Sequence, residues 1–122
     1  MINKVLCLCA IVLMASCNGE NDKKTLFTLL DNTGIDFNNA ITESKNFNVF
    51  TYRNFYNGGG VAIGDINNDG LADIFFTGNQ VANRLYLNSG GMKFKDISVS
   101  AGFGEKKQWS TGVTFVDINS DG

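Results

Sequence analysis

The sequence predicts an all-β fold made of β-propeller blades, of which the chain contains about one and a half. The first observation is an internal repeat: residues 60–70 and 112–122 are identical at seven of eleven positions, 52 residues apart. The second is a series of short apolar segments separated by turn residues within that period. A repeat of roughly 50 residues with strand-like segments is typical of propeller blades or of β-solenoids. About four strands in each repeat favour the propeller.

Four short segments of the first repeat have the apolar composition of strands and are bounded by turn residues. They are residues 60–64, 72–77, 84–88 and 93–97. The turn Ser89-Gly90-Gly91 is of the kind that joins the last two as a hairpin. Residues 109–116 then predict the first strand of the next blade, with Val113 and Phe115 on one face.

A polar loop lies between the first two predicted strands. Its oxygen-bearing side chains alternate along the chain, at Asp65, Asn67, Asp69 and Asp73. Calcium takes about 6 to 8 oxygen ligands in irregular geometry, so carboxylates, an amide and a carbonyl can share one site. We therefore expect a calcium site in which Gly70 makes the sharp turn, Leu71 offers its backbone carbonyl and Asp73 closes the ring.

This loop has two other interpretations. An EF-hand requires a Glu at the twelfth position and a helix on each side, but the twelfth residue is Phe76 and the flanks are strand-like. Alternatively, Asp, Asn and Gly are simply common turn residues. Against this stands the clustering of three carboxylates within nine positions, which repel one another without a cation between them.

The amino terminus predicts export. Lys4 precedes an apolar run over residues 5–15 and then Ser16-Cys17, the pattern of a secretory signal. Eleven residues at about 1.5 Å each span roughly 16 Å, too short for a bilayer core of about 30 Å. Residues 14–17 resemble a bacterial lipobox, which implies a lipoprotein signal peptide over 1–16, lipid on Cys17 and a flexible tether over 17–24. An ordinary signal with an incidental cysteine is the alternative.

Composition argues against catalysis and against nucleic-acid binding. The chain has no histidine, so the usual general base is missing. Cys17 would be the sole cysteine after processing and would carry lipid, so no free thiol nucleophile would remain. The net charge is −2 and the lysines are scattered, without the basic patch that nucleic acids require. We therefore expect no enzyme activity and no nucleic-acid partner.

An aromatic stretch precedes the first strand. Its rings belong to Phe47, Phe50, Tyr52, Phe55 and Tyr56, and Trp109 lies before the second repeat. Exposed rings of this kind can stack on sugars, whereas buried rings pack a propeller core. The sequence does not decide between sugar stacking and core packing, and core packing is the more common role of such rings.

Residues 57–79, followed by Leu85-Tyr86-Leu87-Asn88, resemble the FG-GAP/VCBS repeat family, and the likeness extends to bacterial lipoproteins of the cartilage-acidic-protein (ASPIC) type. The resemblance covers about residues 25–122. It implies a calcium-binding propeller with ligands at Asp65, Asn67, Asp69, Leu71 through its carbonyl, Asp73, and in the second copy Asp117, Asn119 and Asp121. Two departures are Ala72, where many members have Pro, and Gly122, which ends the sequence before the second closing Asp.

These observations together predict a non-enzymatic, calcium-binding propeller repeat of a secreted lipoprotein, held by Cys17 at the outer membrane or cell surface. Its function would be adhesion or the capture of a glycan or protein ligand. One alternative is the non-catalytic platform of a longer secreted enzyme whose active site lies beyond residue 122. Another is a platform for an appended carboxy-terminal domain, because a propeller fold alone does not determine function.

Overall fold

The computed structural model describes residues 25–118. The predicted signal peptide and tether (1–24, with Cys17) and the predicted ligands Asn119 and Asp121 lie outside the described residues. Between residues 25 and 118 the regular secondary structure is entirely β, as predicted. That part of the chain has no helix of the length and hydropathy that a membrane span requires.

Four strands form a single antiparallel sheet. They are β1 (Val61–Gly64), β2 (Asp73–Phe76), β3 (Arg84–Asn88) and β4 (Phe94–Asp96). Each strand pairs with the next along the chain, so the order in the sheet is β1-β2-β3-β4. A four-stranded sheet of this kind is the unit of a propeller blade, and the predicted fold class is confirmed.

The predicted strand ends differ from the observed ones by single residues. The prediction for residues 84–88 coincides with β3, while the other three strands are one residue shorter at one or both ends. The backbone N–H of Thr77 still donates to the carbonyl of Gly60 at 3.0 Å. Hydrogen bonding between β1 and β2 therefore continues one step beyond the strand bounds.

The strand predicted over residues 109–116 is wrong, because the structure has no strand in that segment. A strand needs hydrogen-bonded neighbours for its backbone groups. In residues 25–118 the only sheet is β1-β2-β3-β4, and none of its strands pairs with this segment. The segment instead makes isolated contacts, such as the bond from the N–H of Ser110 to the carbonyl of Gly78 at 3.0 Å.

One face of the sheet carries the core. Ala62 pairs with Phe75 and Phe75 pairs with Leu85, so the three side chains lie side by side across β1, β2 and β3. All three are buried, and Ile97 and Val113 pack against them. Burial of a large apolar side chain is worth about 1.5–3 kcal/mol, so the burial of Phe75 and Leu85 stabilises the sheet.

The N-terminal segment (residues 25–57) covers part of the opposite face. The ring of Phe37 stacks on Phe76 with centroids 4.9 Å apart. The hydroxyl of Tyr86 donates to Oδ1 of Asp36 at 2.7 Å. Burial, together with this hydrogen bond, raises the pKa of Tyr86 to about 12. The tyrosine is therefore a neutral, buried link between the sheet and the segment that precedes it.

The same segment also meets the edge strand β4. The backbone N–H of Phe94 donates to the carbonyl of Thr33 at 2.7 Å. Gly34 has a φ of +89°, and a Cβ at this position would lie 2.2 Å from the carbonyl oxygen of Phe94. The close approach therefore requires glycine, and it shields part of an edge that would otherwise be open to pairing.

Phe47, Tyr52, Phe55 and Trp109 form an aromatic cluster. The ring centroid of Phe47 lies 5.7 Å from that of Tyr52 and 5.0 Å from that of Trp109, and Phe55 lies 5.5 Å from Trp109. Phe55 is completely buried. The packing interpretation of these rings is thus confirmed, and the cluster joins the N-terminal segment to the start of the second repeat.

Candidate metal centre

The candidate site is the loop over residues 65–72, between β1 and β2. The last residue pair of the β1–β2 ladder is Gly64 with Asp73, so the loop leaves and re-enters the sheet at one point. Asn68 and Gly70 have φ angles of 61° and 83°. Nothing lies within 4 Å of a Cβ built on Gly70, so the left-handed backbone, and not lack of space, favours glycine there.

Asp65 organises the first half of the loop. Its Oδ1 accepts from the backbone N–H of Asp69 at 3.1 Å, and its Oδ2 accepts from that of Gly70 at 2.7 Å. The bond from Gly70 is the largest of the backbone contributions that lower the pKa of Asp65 below its usual value. The side chain is therefore a carboxylate at neutral pH, with its charge turned into the loop.

Asn67 and Asp69 come together beside it. Nδ2 of Asn67 donates to Oδ2 of Asp69 at 2.8 Å, and the backbone N–H of Leu71 donates to Oδ1 of Asp69 at 2.8 Å. Both side chains are exposed to solvent. Asn67 would have to rotate its terminal amide to offer Oδ1, and not Nδ2, to a cation on the Asp69 side.

Asp73 occupies a different environment. It is completely buried, with Oδ2 accepting from the N–H of Ile66 at 3.0 Å and Oδ1 accepting from the N–H of Asn88 at 2.7 Å. Nδ2 of Asn88 donates in turn to the carbonyl of Ala72 at 3.0 Å. Asp73 therefore ties the start of the loop to the end of β3, a role that the sequence did not predict.

The donor chemistry of the loop fits a hard divalent cation, because Asp65, Asn67 and Asp69 offer only oxygens as anionic or carbonyl ligands. In residues 25–118, however, no group of three His, Cys, Asp or Glu side chains has the spacing of a metal site. Asp117 of the second copy is exposed, and its partner ligands Asn119 and Asp121 lie outside the described residues.

A hydrogen-bonding centre that the sequence pattern does not predict lies just after β2. Asn79 is 2% exposed. Its Nδ2 donates to the carbonyls of Gly58 and Ser110, each at 3.1 Å, and its Oδ1 accepts from Nδ2 of Asn39 at 2.7 Å. One side chain thus joins the N-terminal segment, the approach to β1 and the start of the second repeat.

Thr77 acts beside Asn79 in the same way. Its hydroxyl accepts from the N–H of Gly60 at 2.5 Å and donates to the carbonyl of Thr111 at 2.6 Å. Both residues belong to the repeat motif, but a Thr and an Asn after a strand look like ordinary turn residues, so the motif predicts no role for them. Their partners lie 17 to 40 positions away, which no local pattern reveals.

Comparison with known proteins agrees with the four-stranded blade. Residues 65–122 match the FG-GAP-like repeat family. The match begins at the first residue of the candidate loop and runs through β2, β3 and β4 into the second copy. An FG-GAP-like repeat indicates a non-catalytic propeller domain of the adhesion type.

The chain is also similar to Cartilage acidic protein 1 from Xenopus tropicalis, with 35% identity over 94 residues. The aligned region is 76% of this chain and 14% of that protein, so the chain spans a small part of the relative's length. No solved structure gives a significant match. The fold assignment therefore rests on the sheet itself and on the repeat family.

Proposed function

We propose that this chain is a calcium-binding, non-enzymatic propeller repeat of a secreted surface lipoprotein, with residues 25–122 as the repeat region. The observation that carries the proposal is the grouping of Asp65, Asn67 and Asp69 in one turn between β1 and β2. Two carboxylates and an amide at this place have the donor chemistry that calcium prefers.

The ion would act on structure and not on a reaction. Asp65, Asn67 and Asp69 would hold it, with the carbonyl of Leu71, and its positive charge would offset the repulsion between the carboxylates. Asp73, already bonded to Ile66 and Asn88, would keep the loop fixed to β3. Asp117, Asn119 and Asp121 would form the corresponding loop of the second repeat.

Thermal unfolding with and without calcium tests the site. At a calcium concentration about 100 times Kd, a site that binds only the folded state stabilises it by about 2.7 kcal/mol. We expect a Kd of about 10⁻⁴ to 10⁻³ M, as in extracellular calcium modules. The melting temperature of the wild-type chain should rise with calcium and fall back when a chelator is added.

Asp69→Asn should remove that rise. Asp31→Asn is the matched control, because Asp31 is an exposed aspartate away from the loop and should keep the calcium response. Magnesium at the same concentration controls for ionic strength. Identical melting curves with calcium and with chelator, in the wild-type chain, would contradict the calcium proposal.

The proposed membrane partner is tested separately. Supporting this part are the resemblance of residues 14–17 to a lipobox and the position of Cys17 before a short polar segment. When the complete chain is expressed in a bacterium that processes lipoproteins, a labelled fatty acid should be incorporated and the protein should fractionate with membranes. Cys17→Ser should abolish both results, and equal labelling of the variant would contradict lipidation at this residue.

The capture of a glycan or protein ligand is the third part of the proposal. Phe55 is completely buried and so cannot stack on a sugar, whereas Phe50 and Tyr56 are 96% and 61% exposed. These two rings are the sensible targets. A glycan-array signal lost in Phe50→Ala or Tyr56→Ala, with unchanged thermal stability, would support capture through this surface, and a signal unaffected by both changes would contradict it.

A further inference from the structure

Asn57 stands out chemically from the other asparagines of the described chain. It is exposed, and it is the only asparagine between residues 25 and 118 that is followed by glycine. Gly58 has a φ of +75°, with nothing within 4 Å of a Cβ built on it. In residues 25–118 neither the side-chain amide of Asn57 nor the backbone N–H of Gly58 has a hydrogen-bond partner.

We propose that Asn57 is a site of spontaneous deamidation. The backbone nitrogen of Gly58 loses its proton to solvent base and attacks Cγ of Asn57. The new N–Cγ bond closes a five-membered succinimide, the Cγ–Nδ2 bond breaks, and the side-chain nitrogen takes up a proton and leaves as ammonia. The step involves no oxidation or reduction.

Water then opens the ring in one of two ways. Cleavage of the N–Cγ bond restores the normal backbone with aspartate at position 57. Cleavage of the bond between the nitrogen and the backbone carbonyl carbon gives isoaspartate, in which the chain runs through Cβ and Cγ. Glycine promotes the reaction because it has no side chain to obstruct the attacking nitrogen and because its backbone is the most adaptable.

Asn88 supplies an internal contrast. It is 9% exposed, its Nδ2 donates to the carbonyl of Ala72, and its Oδ1 accepts from the N–H of Gly90. The nitrogen that would attack belongs to Ser89, whose side chain obstructs it, unlike the nitrogen of a glycine. Ring closure at Asn88 would break the bond from its Nδ2 to Ala72 and the bond from the attacking N–H of Ser89 to the carbonyl of Lys93, while ring closure at Asn57 breaks none that the described structure contains.

The modification would have a structural consequence. The carbonyl of Gly58 accepts from Asn79, which also holds the carbonyl of Ser110. Gly59, the next residue, is so close to β2 that a Cβ on it would lie 2.0 Å from the carbonyl oxygen of Thr77. An extra backbone carbon at position 57 would displace this tightly packed stretch and weaken the link between the two repeats.

Peptide mass spectrometry of the aged protein tests the proposal. The folded chain is incubated at mildly alkaline and mildly acidic pH in ¹⁸O-labelled water, then digested and sequenced by fragmentation. We expect the replacement of NH₂ by labelled OH at Asn57, faster at the higher pH, with isoaspartate and aspartate both present. Asn88 should remain unmodified over the same period.

Asn57→Gln is the control variant, because it keeps the amide but would require a slower six-membered ring, and its peptide should stay unmodified. A parallel sample in urea gives the rate without the fold. If Asn57 reacts in urea but remains intact in the folded chain, or if Asn88 reacts as fast as Asn57 in the folded chain, the proposal is overturned.

Discussion

Residues 60–66 and 112–118 are two copies of one pattern, yet only the first contains a strand. Ala62 in the first copy pairs with Phe75 and is 5% exposed, while its counterpart Thr114 is exposed. The isoleucine that follows the first loop aspartate shows the same contrast: Ile66 is 38% exposed and Ile118 is 91% exposed. Similar sequence has therefore given different structure within one chain.

The difference shows that the repeat motif needs a neighbour in order to become a strand. The first copy has β2 beside it, which accepts and donates its backbone hydrogen bonds. The second copy has the end of β2, through Thr77 and Asn79, but no strand along its length. Of residues 112–118 only Val113, which packs on the core, is partly buried.

Phe75→Ala is expected to have the largest effect, because it removes the β2 ring that lies beside Ala62 of the first copy. The ring lies between Ala62 and Leu85 and also contacts Phe103 at 5.0 Å. Truncation of a buried Phe typically costs 3–5 kcal/mol, so we expect about that loss in the free energy of unfolding measured in urea.

Val116→Ala, in the second copy, is the comparison change. Val116 is 69% exposed, and exposed substitutions usually change stability by less than about 0.5 kcal/mol. Equal losses in the two variants would mean that the second copy is packed as firmly as the first, and would contradict the comparison.

Asp73→Asn is expected to have the next largest effect, because it loosens the tie between the first loop and β3. An amide would place a donor opposite one of the two backbone N–H groups, of Ile66 and Asn88, that the carboxylate now accepts. An unsatisfied buried group costs about 1–3 kcal/mol, and we expect a loss of that size in urea unfolding.

The measurement should be made in chelator, so that lost calcium binding does not contribute. Asp31→Asn, at an exposed position, should leave the unfolding curve in place. If Asp73→Asn were harmless in chelator but removed the calcium response, Asp73 would be a ligand only, and its structural role would be refuted.

Much of the sheet could be predicted from sequence, because its determinants are local. Apolar composition predicts β2 from its Ile-Phe-Phe run and β3 from its Leu-Tyr-Leu run. The glycine turn before β4 marks where that strand begins. The 109–116 segment has the same local signals, and its prediction failed because strand formation depends on a partner that local signals do not include.

In the candidate loop, too, local sequence predicts some features and distant contacts determine others. The gathering of Asp65, Asn67 and Asp69 follows from their spacing around Gly70, which is local. The burial of Asp73 follows from its bond to Asn88, fifteen residues away, and alternation along the loop gives no sign of it. Local sequence patterns do not predict hydrogen bonds between distant residues.

Asp96→Asn is expected to have the smallest effect and probes the far side of the paired copy, where β4 meets β3. Partial burial alone would raise the pKa of Asp96, but hydrogen bonds from the side chain and backbone of Ser98, with the charge of Arg84 at 3.4 Å, outweigh it and lower the pKa below its usual value. A carboxyl with a lowered pKa contributes stability at pH values above its unfolded-state pKa, and that contribution is lost as the pH falls through its folded-state pKa.

The wild-type chain should therefore lose stability below about pH 3.9 more steeply than Asp96→Asn does. Because the Arg84–Asp96 pair is about one-third exposed, solvent screens it and the difference should be smaller than for either change above. Urea unfolding curves measured across the acid range would show it, and parallel pH profiles for the two proteins would mean that Asp96 gives β3 and β4 no ionic support.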